Sequence, residues 1–248
     1  MKVNQFLDAT YLKTASQANI SEAENEQKVI DLVKESIVFD YKLIMIRANY
    51  VKMVKGMLSK VNSPVLIGTV IDFHEGASSI KNKIEEAKKA IELNVDELDF
   101  VVNYNAFKAG NISLIKEEVL ECTKLCLANN KVVKFIIEVA ALSNEEIIVI
   151  SQLIKEVVLN NFDDQAAQKV FVKSSTGFFK TSDNKPNGAT FETIKLISEN
   201  AKPLQIKAAG GVRDYGTALK MISLGVDRIG TSSAKEICLK QENNKNDY

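Results

Sequence analysis

Two lysines of this sequence lie inside apolar runs, where a charged side chain is unusual. Lys173 belongs to the run Val170–Ser174 and Lys207 to the run Leu204–Ala208. If these runs form neighbouring strands, the two ammonium groups converge, and both the like charge and the loss of water disfavour protonation. The pKa of one lysine would then fall from about 10.4 toward about 7 to 8, so that its amine could form a Schiff base with a carbonyl. Either lysine alone would more often extend to solvent, whereas two in adjacent strands favour the chemistry.

Two carboxylates occupy comparable positions. Asp99 lies in the run Glu97–Asn103 and Asp8 in the run Gln5–Thr10. A buried Asp99 could form a salt bridge with one lysine, or move protons during Schiff-base chemistry. The two roles are compatible, because an ion pair keeps the carboxylate ionised and oriented.

Glycines and small hydroxyl side chains follow two apolar runs. Gly210 and Gly211 come after the run that holds Lys207, and Gly230 is followed closely by Ser232 and Ser233. Backbone N–H groups that are free just before a helix begins can hold an anion. Either segment alone is more often an ordinary turn. Together they predict a phosphate site, and therefore a phosphorylated small carbonyl compound as ligand.

The elements that must position these residues recur along the chain. Eight short apolar runs alternate with segments of helical spacing, and they are Gln5–Thr10, Leu43–Arg47, Val65–Ile71, Glu97–Asn103, Val133–Val139, Val170–Ser174, Leu204–Ala208 and Asp227–Gly230. Strands that alternate with helices predict crossover units and a parallel sheet. Eight units in 248 residues favour one α/β domain over residues 1–248, a single (β/α)8 TIM barrel, whose active site lies where the strands end.

Local signals support that architecture. An open doubly wound sheet usually carries a glycine-rich turn after its first strand, and residues 11–15 contain no glycine. Helix N-termini are predicted at two capping boxes, and one helix is predicted to face the sheet through an apolar stripe. The capping boxes pair Ser21 with Glu24 and Ser143 with Glu146, and the stripe is Ile80, Ile84, Ala87 and Ile91.

Composition excludes several classes of function. The chain has 32 Lys and Arg against 32 Asp and Glu, so bulk electrostatics give no reason to expect a nucleic-acid or membrane partner. The first residues lack the apolar core of a secretory signal, and no apolar run approaches the length of a membrane span, so we expect a cytoplasmic protein. Cys122, Cys126 and Cys238 are too few for a disulfide framework. With one histidine, His74, in the whole chain, a zinc site is not expected.

Specific motifs of this sequence resemble those of a known enzyme family. The chain is similar to the deoxyribose-phosphate aldolases, which are class I, or Schiff-base, aldolases. The matching segments extend over nearly the whole chain, and the most specific are 171–178, 207–213, 96–99 and 68–71 with Phe73 and Gly76.

The resemblance implies a reaction and a role for each matching residue. The reaction is the reversible cleavage of 2-deoxy-D-ribose 5-phosphate to D-glyceraldehyde 3-phosphate and acetaldehyde, with no metal or organic cofactor. Lys173 matches the Schiff-base lysine, Lys207 the lysine that lowers its pKa, and Asp99 an acid/base that works through a water. Asp8 would bind substrate hydroxyls. The residues expected around the substrate and its phosphate are Thr176, Gly177, Gly210, Gly211, Gly230, Ser232 and Ser233. Family members form dimers or larger assemblies, so a homo-oligomer, and by analogy a dimer, is expected.

The sequence departs from the family pattern at several positions. Met45-Ile46-Arg47-Ala48 stands where many members have Cys-Val-Asn-Pro, and His74 replaces a proline after Phe73. Phe178 occupies a place where some members have a phosphate-binding lysine, so Lys180 or Lys185 could supply that charge instead. Residues 239–248 form a polar tail that we expect to be mobile. Certain members end in a tyrosine that reaches back to the site as a proton relay, and Tyr248 is terminal here, but a disordered end is the interpretation we favour.

Three alternatives remain open from the residues alone. One is another Schiff-base aldolase or a transaldolase on the same fold. Another is a sugar-phosphate isomerase in which Asp99 is the base and neither lysine becomes covalent. The third is a sensor that binds a sugar phosphate and turns nothing over.

Overall fold

The barrel strands form because apolar, largely β-branched runs are buried on both faces of a closed sheet. The computed structural model describes residues 2–182 and 185–240. Eight parallel strands close in sequence order, each paired with its neighbours along the chain and the last with the first. They are β1 Leu7–Tyr11, β2 Leu43–Ile46, β3 Leu66–Ile71, β4 Glu97–Val101, β5 Val132–Ile136, β6 Val170–Lys173, β7 Gln205–Ala209 and β8 Arg228–Thr231. The predicted TIM barrel is therefore confirmed.

Helices surround the barrel. They are α1 Ala15–Ala18, α2 Glu22–Phe39, α3 Val51–Lys60, α4 Ile80–Glu92, α5 Tyr104–Lys108, α6 Ile112–Ala128, α7 Asn144–Asn161, α8 Asp164–Ala167, α9 Phe191–Ala201, α10 Tyr215–Ser223 and α11 Ala234–Cys238. Short 3-10 helices span Val3–Phe6, Ala48–Tyr50 and Val139–Ala141. The first of them explains why β1 begins at Leu7 and not at the predicted Gln5.

Capping side chains set where two long helices begin. Ser21 and Ser143 each accept a hydrogen bond from the backbone N–H three residues later, and the carboxylates of Glu24 and Glu146 accept from the N-cap backbone in return. Both predicted capping boxes are thus confirmed. They satisfy N–H groups that the first helical turn leaves without partners.

The main apolar core lies between the outer face of the barrel and the helices. Inside the barrel the lining is divided. Leu12, Leu43, Met45 and Val70 form an apolar cluster on the side of β1 to β3. The charged residues inside the barrel come from β1 and from β4 to β8, as described below. None of the helices in the described ranges is both long enough and apolar enough to cross a membrane.

Candidate active site

The carboxylate of Asp99 is the centre of a charged cluster inside the barrel. Its Oδ2 atom accepts hydrogen bonds from Lys173 Nζ and from Lys207 Nζ, each at 2.8 Å. Its Oδ1 atom accepts from Lys134 Nζ at 2.9 Å. The two lysine nitrogens singled out from sequence therefore share one oxygen, as expected for side chains on the neighbouring strands β6 and β7.

Two more carboxylates and an arginine complete the cluster. Asp8 Oδ2 lies 2.6 Å from Lys207 Nζ, and Asp8 Oδ1 accepts from Arg228 Nε at 2.7 Å. Arg228 also donates through both terminal nitrogens to Glu97, at 3.1 Å each, and Glu97 bonds Lys134. Four cations thus alternate with three carboxylates, and every one of these side chains is buried.

Lys134, Glu97 and Arg228 were missed by the sequence analysis. Each lies in an apolar run that was predicted to be a strand, so the criterion applied to Lys173 would have found them. Their convergence depends on strand register, since Asp99 lies opposite Lys134 and Lys207 lies opposite Arg228.

The pKa of Lys173 is lowered inside this cluster. Burial lowers its pKa to about 8, opposed by the attraction of Asp99 and assisted by the repulsion of Lys207 and Lys134. At pH 7 about a tenth of the side chain would then be neutral, far more than for an ordinary lysine. Lys173 therefore has the protonation behaviour of an amine nucleophile.

The neighbours of Lys173 are held in their charged forms. Burial by itself would raise the pKa of Asp99, but Lys134, Lys173 and Lys207 hold it well below the usual value. Arg228, Lys207 and Lys134 outweigh burial at Asp8 in the same way and lower its pKa. Conversely, Asp99 and Glu97 outweigh burial at Lys134 and raise its pKa.

The loops after β6 and β7 meet above the cluster. A Cβ atom at Gly188 would lie 2.5 Å from Gly210 Cα, so only glycine allows these backbones to approach so closely. Ala189 N–H donates to the carbonyls of Ala209 and Gly210 at 3.1 and 3.0 Å. Gly177, Gly210 and Gly211 all have positive φ, between 78° and 83°, which favours glycine.

Gly230 serves a different purpose from these loop glycines. A Cβ atom there would lie 3.0 Å from Lys207 Cε, so the missing side chain makes room for the Lys207 stem. The predicted glycines therefore fall into a loop group and one position beside the lysine.

The polar residues predicted to bind substrate occupy varied environments. Thr176 is buried and donates to Glu138, Ser232 is exposed, and Ser233 donates its N–H to Thr231 Oγ1 at 2.9 Å. Asp8 is fully buried and is paired with Lys207 and Arg228. Its contact with substrate hydroxyls stays a prediction. Lys180 and Lys185 are both exposed. Tyr248 and the rest of residues 241–248 lie outside the described residues.

Aromatic side chains cover the apolar side of the barrel mouth. The Phe73 and Phe178 rings meet edge to face at 5.0 Å between centroids, and the His74 ring lies 5.6 Å from Phe178. The Arg47 guanidinium lies 4.9 Å from the Phe73 centroid, and Arg47 Nε donates to the Leu12 carbonyl. Three departures from the family pattern, Arg47, His74 and Phe178, thus lie together.

Comparison with known proteins decides the family. No protein-family model matches the chain. A deoxyribose-phosphate aldolase of Mycoplasma capricolum is 38% identical over 247 residues, which cover 99% of both chains. The chain belongs to the deoxyribose-phosphate aldolase family. It is thus an aldolase, a carbon–carbon lyase.

Solved structures agree with this assignment. A structure described as "QR15, an Aldolase" is 31% identical to this aldolase, with a TM-score of 0.78 over 96% of this chain and 94% of that one. The deoxyribose phosphate aldolase of Aeropyrum pernix, described as having a unique tetrameric structure, is 25% identical with a TM-score of 0.76 over 96% of this chain and 89% of that one.

The buried amine of Lys173 is the candidate reactive group among the described residues. Within the described ranges, no group of three or more His, Cys, Asp or Glu side chains is placed to hold a metal ion. Cys122 and Cys126 are buried, unpaired thiols on α6. A buried amine of lowered pKa beside an ionised carboxylate can form an imine and move protons to and from it.

Proposed function

We propose that this aldolase reversibly cleaves 2-deoxy-D-ribose 5-phosphate to D-glyceraldehyde 3-phosphate and acetaldehyde through a Schiff base on Lys173. The observation that carries the proposal is the position of Lys173 Nζ. It is buried, its pKa is lowered to about 8, and it lies 2.8 Å from a carboxylate oxygen that it shares with Lys207. The identity of the substrate is inferred from membership of the deoxyribose-phosphate aldolase family.

The reaction begins at the open-chain aldehyde. The neutral amine of Lys173 attacks C1, and loss of water, with one proton taken from the pair formed by Asp99 and Lys207, leaves a protonated imine. Lys207 favours this step because its positive charge disfavours protonation of the Lys173 amine before substrate binds.

Cleavage then breaks the bond between C2 and C3. Asp99 accepts the proton of the C3 hydroxyl through a water, the C3 carbon becomes the aldehyde of glyceraldehyde 3-phosphate, and the bonding electrons move into the imine to give an enamine. Protonation at C2 and hydrolysis release acetaldehyde and restore the amine. The imine is the electron sink, so the chemistry requires no metal or organic cofactor.

The phosphate binds at the loops that follow β6, β7 and β8. Gly177, Gly210, Gly211, Ser232 and Ser233 supply hydroxyl and backbone N–H groups there. Thr176, whose N–H and hydroxyl both donate to Glu138, belongs to the turn that carries Gly177. Gly188 also belongs to this site, because its lack of a side chain allows the first two loops to approach each other closely. Most of these groups are uncharged hydrogen-bond donors, which can bind the phosphate and still release the phosphorylated product.

Trapping with borohydride tests the nucleophile. Incubation with acetaldehyde and borohydride is expected to leave a reduced two-carbon adduct on Lys173, located by mass spectrometry of peptides, while Lys173→Leu forms none at that position. Folded protein that carries no adduct would falsify the assignment and would favour an isomerase with Asp99 as base. Turnover with acetaldehyde as donor, but not with dihydroxyacetone, separates this function from that of other Schiff-base aldolases.

The cellular setting follows from the same chemistry. The enzyme would consume the sugar phosphate that deoxyribonucleotide breakdown releases, and the free thiols of Cys122, Cys126 and Cys238 suit the reducing cytoplasm. We further propose a homo-oligomer, which the tetrameric Aeropyrum relative supports. Light scattering on the purified protein measures its mass, and a monomer at micromolar concentration would contradict this proposal.

A further inference from the structure

Glu138 is a buried carboxylate beside the nucleophile that the mechanism above does not use. It follows β5 and is 0% exposed. The residues on either side of it are pinned to the end of β6, because Ile137 N–H donates to the Lys173 carbonyl at 3.0 Å and Val139 N–H donates to the Ser174 carbonyl at 2.9 Å. Glu138 therefore lies at a fixed position next to the backbone of Lys173.

The carboxylate of Glu138 organises the turn Thr176-Gly177-Phe178. Its Oε2 atom accepts hydrogen bonds from the Thr176 N–H at 3.1 Å and from the Thr176 hydroxyl. Thr176 Oγ1 in turn accepts from Phe178 N–H at 3.0 Å. One carboxylate oxygen thus fixes both ends of a turn whose middle residue, Gly177, has a φ of 78°.

Glu138 itself adopts an unfavourable conformation and environment. Its φ is 56°, in the left-handed region that residues other than glycine seldom adopt. Its second oxygen, Oε1, is buried, accepts no hydrogen bond of ordinary geometry from the described residues, and has only the nearby Ser175 hydroxyl to act on it. Burial raises the pKa of Glu138, while the Thr176 hydrogen bonds, Lys173 and the Ser175 hydroxyl act in the opposite direction. Such costs are more often retained at functional positions than at structural ones.

The turn that Glu138 holds connects the nucleophile with the rest of the site. Phe178 packs on Phe73 and His74 over the barrel mouth, and the next residue, Phe179, packs on Tyr104. Movement of the turn would therefore displace both the anion-binding backbone at Gly177 and the aromatic cover.

We propose that Glu138 is a positioning residue that holds the turn Thr176-Gly177-Phe178 in the conformation that binds the phosphorylated substrate. The proposal rests on the proposed function, since it takes that turn to be part of the phosphate site. Glu138 acts through Thr176 and does not touch the reacting carbon atoms. Its loss should weaken substrate binding and leave the chemistry at Lys173 intact.

Kinetics of Glu138→Ala test the proposal. We expect the KM for 2-deoxyribose 5-phosphate to rise about tenfold or more, with kcat changed by less than about threefold, because two hydrogen bonds to a charged group are lost from the binding turn. Borohydride trapping at saturating acetaldehyde, which has no phosphate, should give the wild-type yield of adduct. Glu138→Gln retains an acceptor oxygen and is expected to restore most of the wild-type KM.

A matched control separates positioning from general stability. Asp227 also accepts a hydrogen bond from a backbone N–H, that of Ile206 at 2.8 Å, but it lies at the opposite end of the barrel. Asp227→Ala should lower the melting temperature without changing the KM. In a double-mutant cycle, Thr176→Val alone should raise the KM, and adding Glu138→Ala should raise it little further.

Several outcomes would overturn the role of Glu138. They are an unchanged KM in folded Glu138→Ala, a fall in kcat at constant KM, loss of the acetaldehyde adduct, or additive effects in the cycle. If Glu138→Ala does not fold, Thr176→Val must raise the KM while the adduct is retained, and an unchanged KM refutes the proposal. Wild-type protein that neither forms the adduct nor cleaves the substrate would refute the proposed function as well. Normal wild-type activity with a wild-type KM in Glu138→Ala refutes only the role of Glu138.

Discussion

The lowered pKa of Lys173 results from opposed influences on one ammonium group. Burial, Lys207 and Lys134 favour the neutral amine, while Asp99 favours the ammonium form. If Asp99 acted alone, the lysine would stay charged and unreactive near neutral pH. The second and third lysines on the same carboxylate limit how strongly Asp99 can stabilise the charge on Lys173.

Replacement of Lys207 tests this balance at the scale of a single residue. Lys207→Leu removes a repelling charge and frees Asp99 Oδ2 for Lys173, so the pKa of Lys173 should rise. The pH at which adduct formation reaches half its maximum is expected near the Lys173 pKa of about 8 in the wild type, and it should move upward by about one unit in the variant. The measurement is the rate of borohydride trapping with acetaldehyde as a function of pH.

Asp99→Asn is the control for which we expect the Lys173 pKa to shift in the opposite direction. It removes the attraction that raises the pKa of Lys173, so the trapping profile should move to lower pH. Substrate cleavage should nevertheless fall by about a hundredfold or more, because the proton acceptor is lost. Shifts in the same direction for the two variants would contradict the assigned electrostatics.

At the scale of elements, the candidate site includes a close approach of the loops after β6 and β7. Gly188 and Gly210 meet backbone to backbone, so a side chain at position 188 must separate the two loops. Gly188→Ala should therefore lower kcat/KM for the phosphorylated substrate by about tenfold to a hundredfold, mainly through KM. Steady-state kinetics measure the change.

Gly56→Ala is the matched control for this change. Gly56 lies in α3, and a Cβ atom there meets no heavy atom within 4 Å. The substitution should stabilise the fold by about 0.5 to 1 kcal/mol, since alanine favours the helix, and leave the kinetics unchanged. Wild-type kinetics in Gly188→Ala would show that the loop contact does not position the substrate.

At the scale of the whole molecule, the charged cluster connects the first strand of the barrel with the last two, across the point where β1 pairs with β8. Asp8 on β1 is paired with Lys207 on β7 and Arg228 on β8, and Asp99 on β4 joins three strands that follow it. The folded barrel thus holds both aspartates ionised in a buried setting. Its stability must depend on pH in the acid range.

Acid unfolding should reveal this dependence. The pKa values of Asp8 and Asp99 lie below the ordinary 3.8 in the folded state, so the unfolded chain binds more protons as the pH falls through that value. Their contribution to stability is present above about pH 4 and is lost below it. Urea unfolding at a series of acid pH values should show the free energy of unfolding falling steeply.

Asp8→Asn tests whether Asp8 causes this pH dependence of the free energy of unfolding. The variant should be less stable near neutrality, because Arg228 and Lys207 lose a partner, but its free energy of unfolding should depend less steeply on pH below about 4. A slope equal to that of the wild type would assign the acid sensitivity to other carboxylates.

The amino-acid sequence by itself determined the architecture. Eight buried runs alternating with helical segments admit few closed arrangements, and the capping boxes at Ser21 and Ser143 are local signals that need no distant partner. The placement of Lys173 and Lys207 on neighbouring strands followed from their order in the chain. Strand boundaries differ by one to three residues. At β1 the 3-10 helix Val3–Phe6 precedes the strand, and β5 ends at Ile136 and not at the predicted Val139.

Only the tertiary structure decided which charges meet inside the barrel. Lys134, Glu97 and Arg228 join the cluster because register places them on the inner face, and one step of register would turn each side chain outward. The pairing of Asp8 with Arg228 spans 220 residues, and the hold of Glu138 on Thr176 spans 38. The first contact arises from closure of the sheet between β1 and β8 and the second from the pairing of β5 with β6, and no local pattern encodes either.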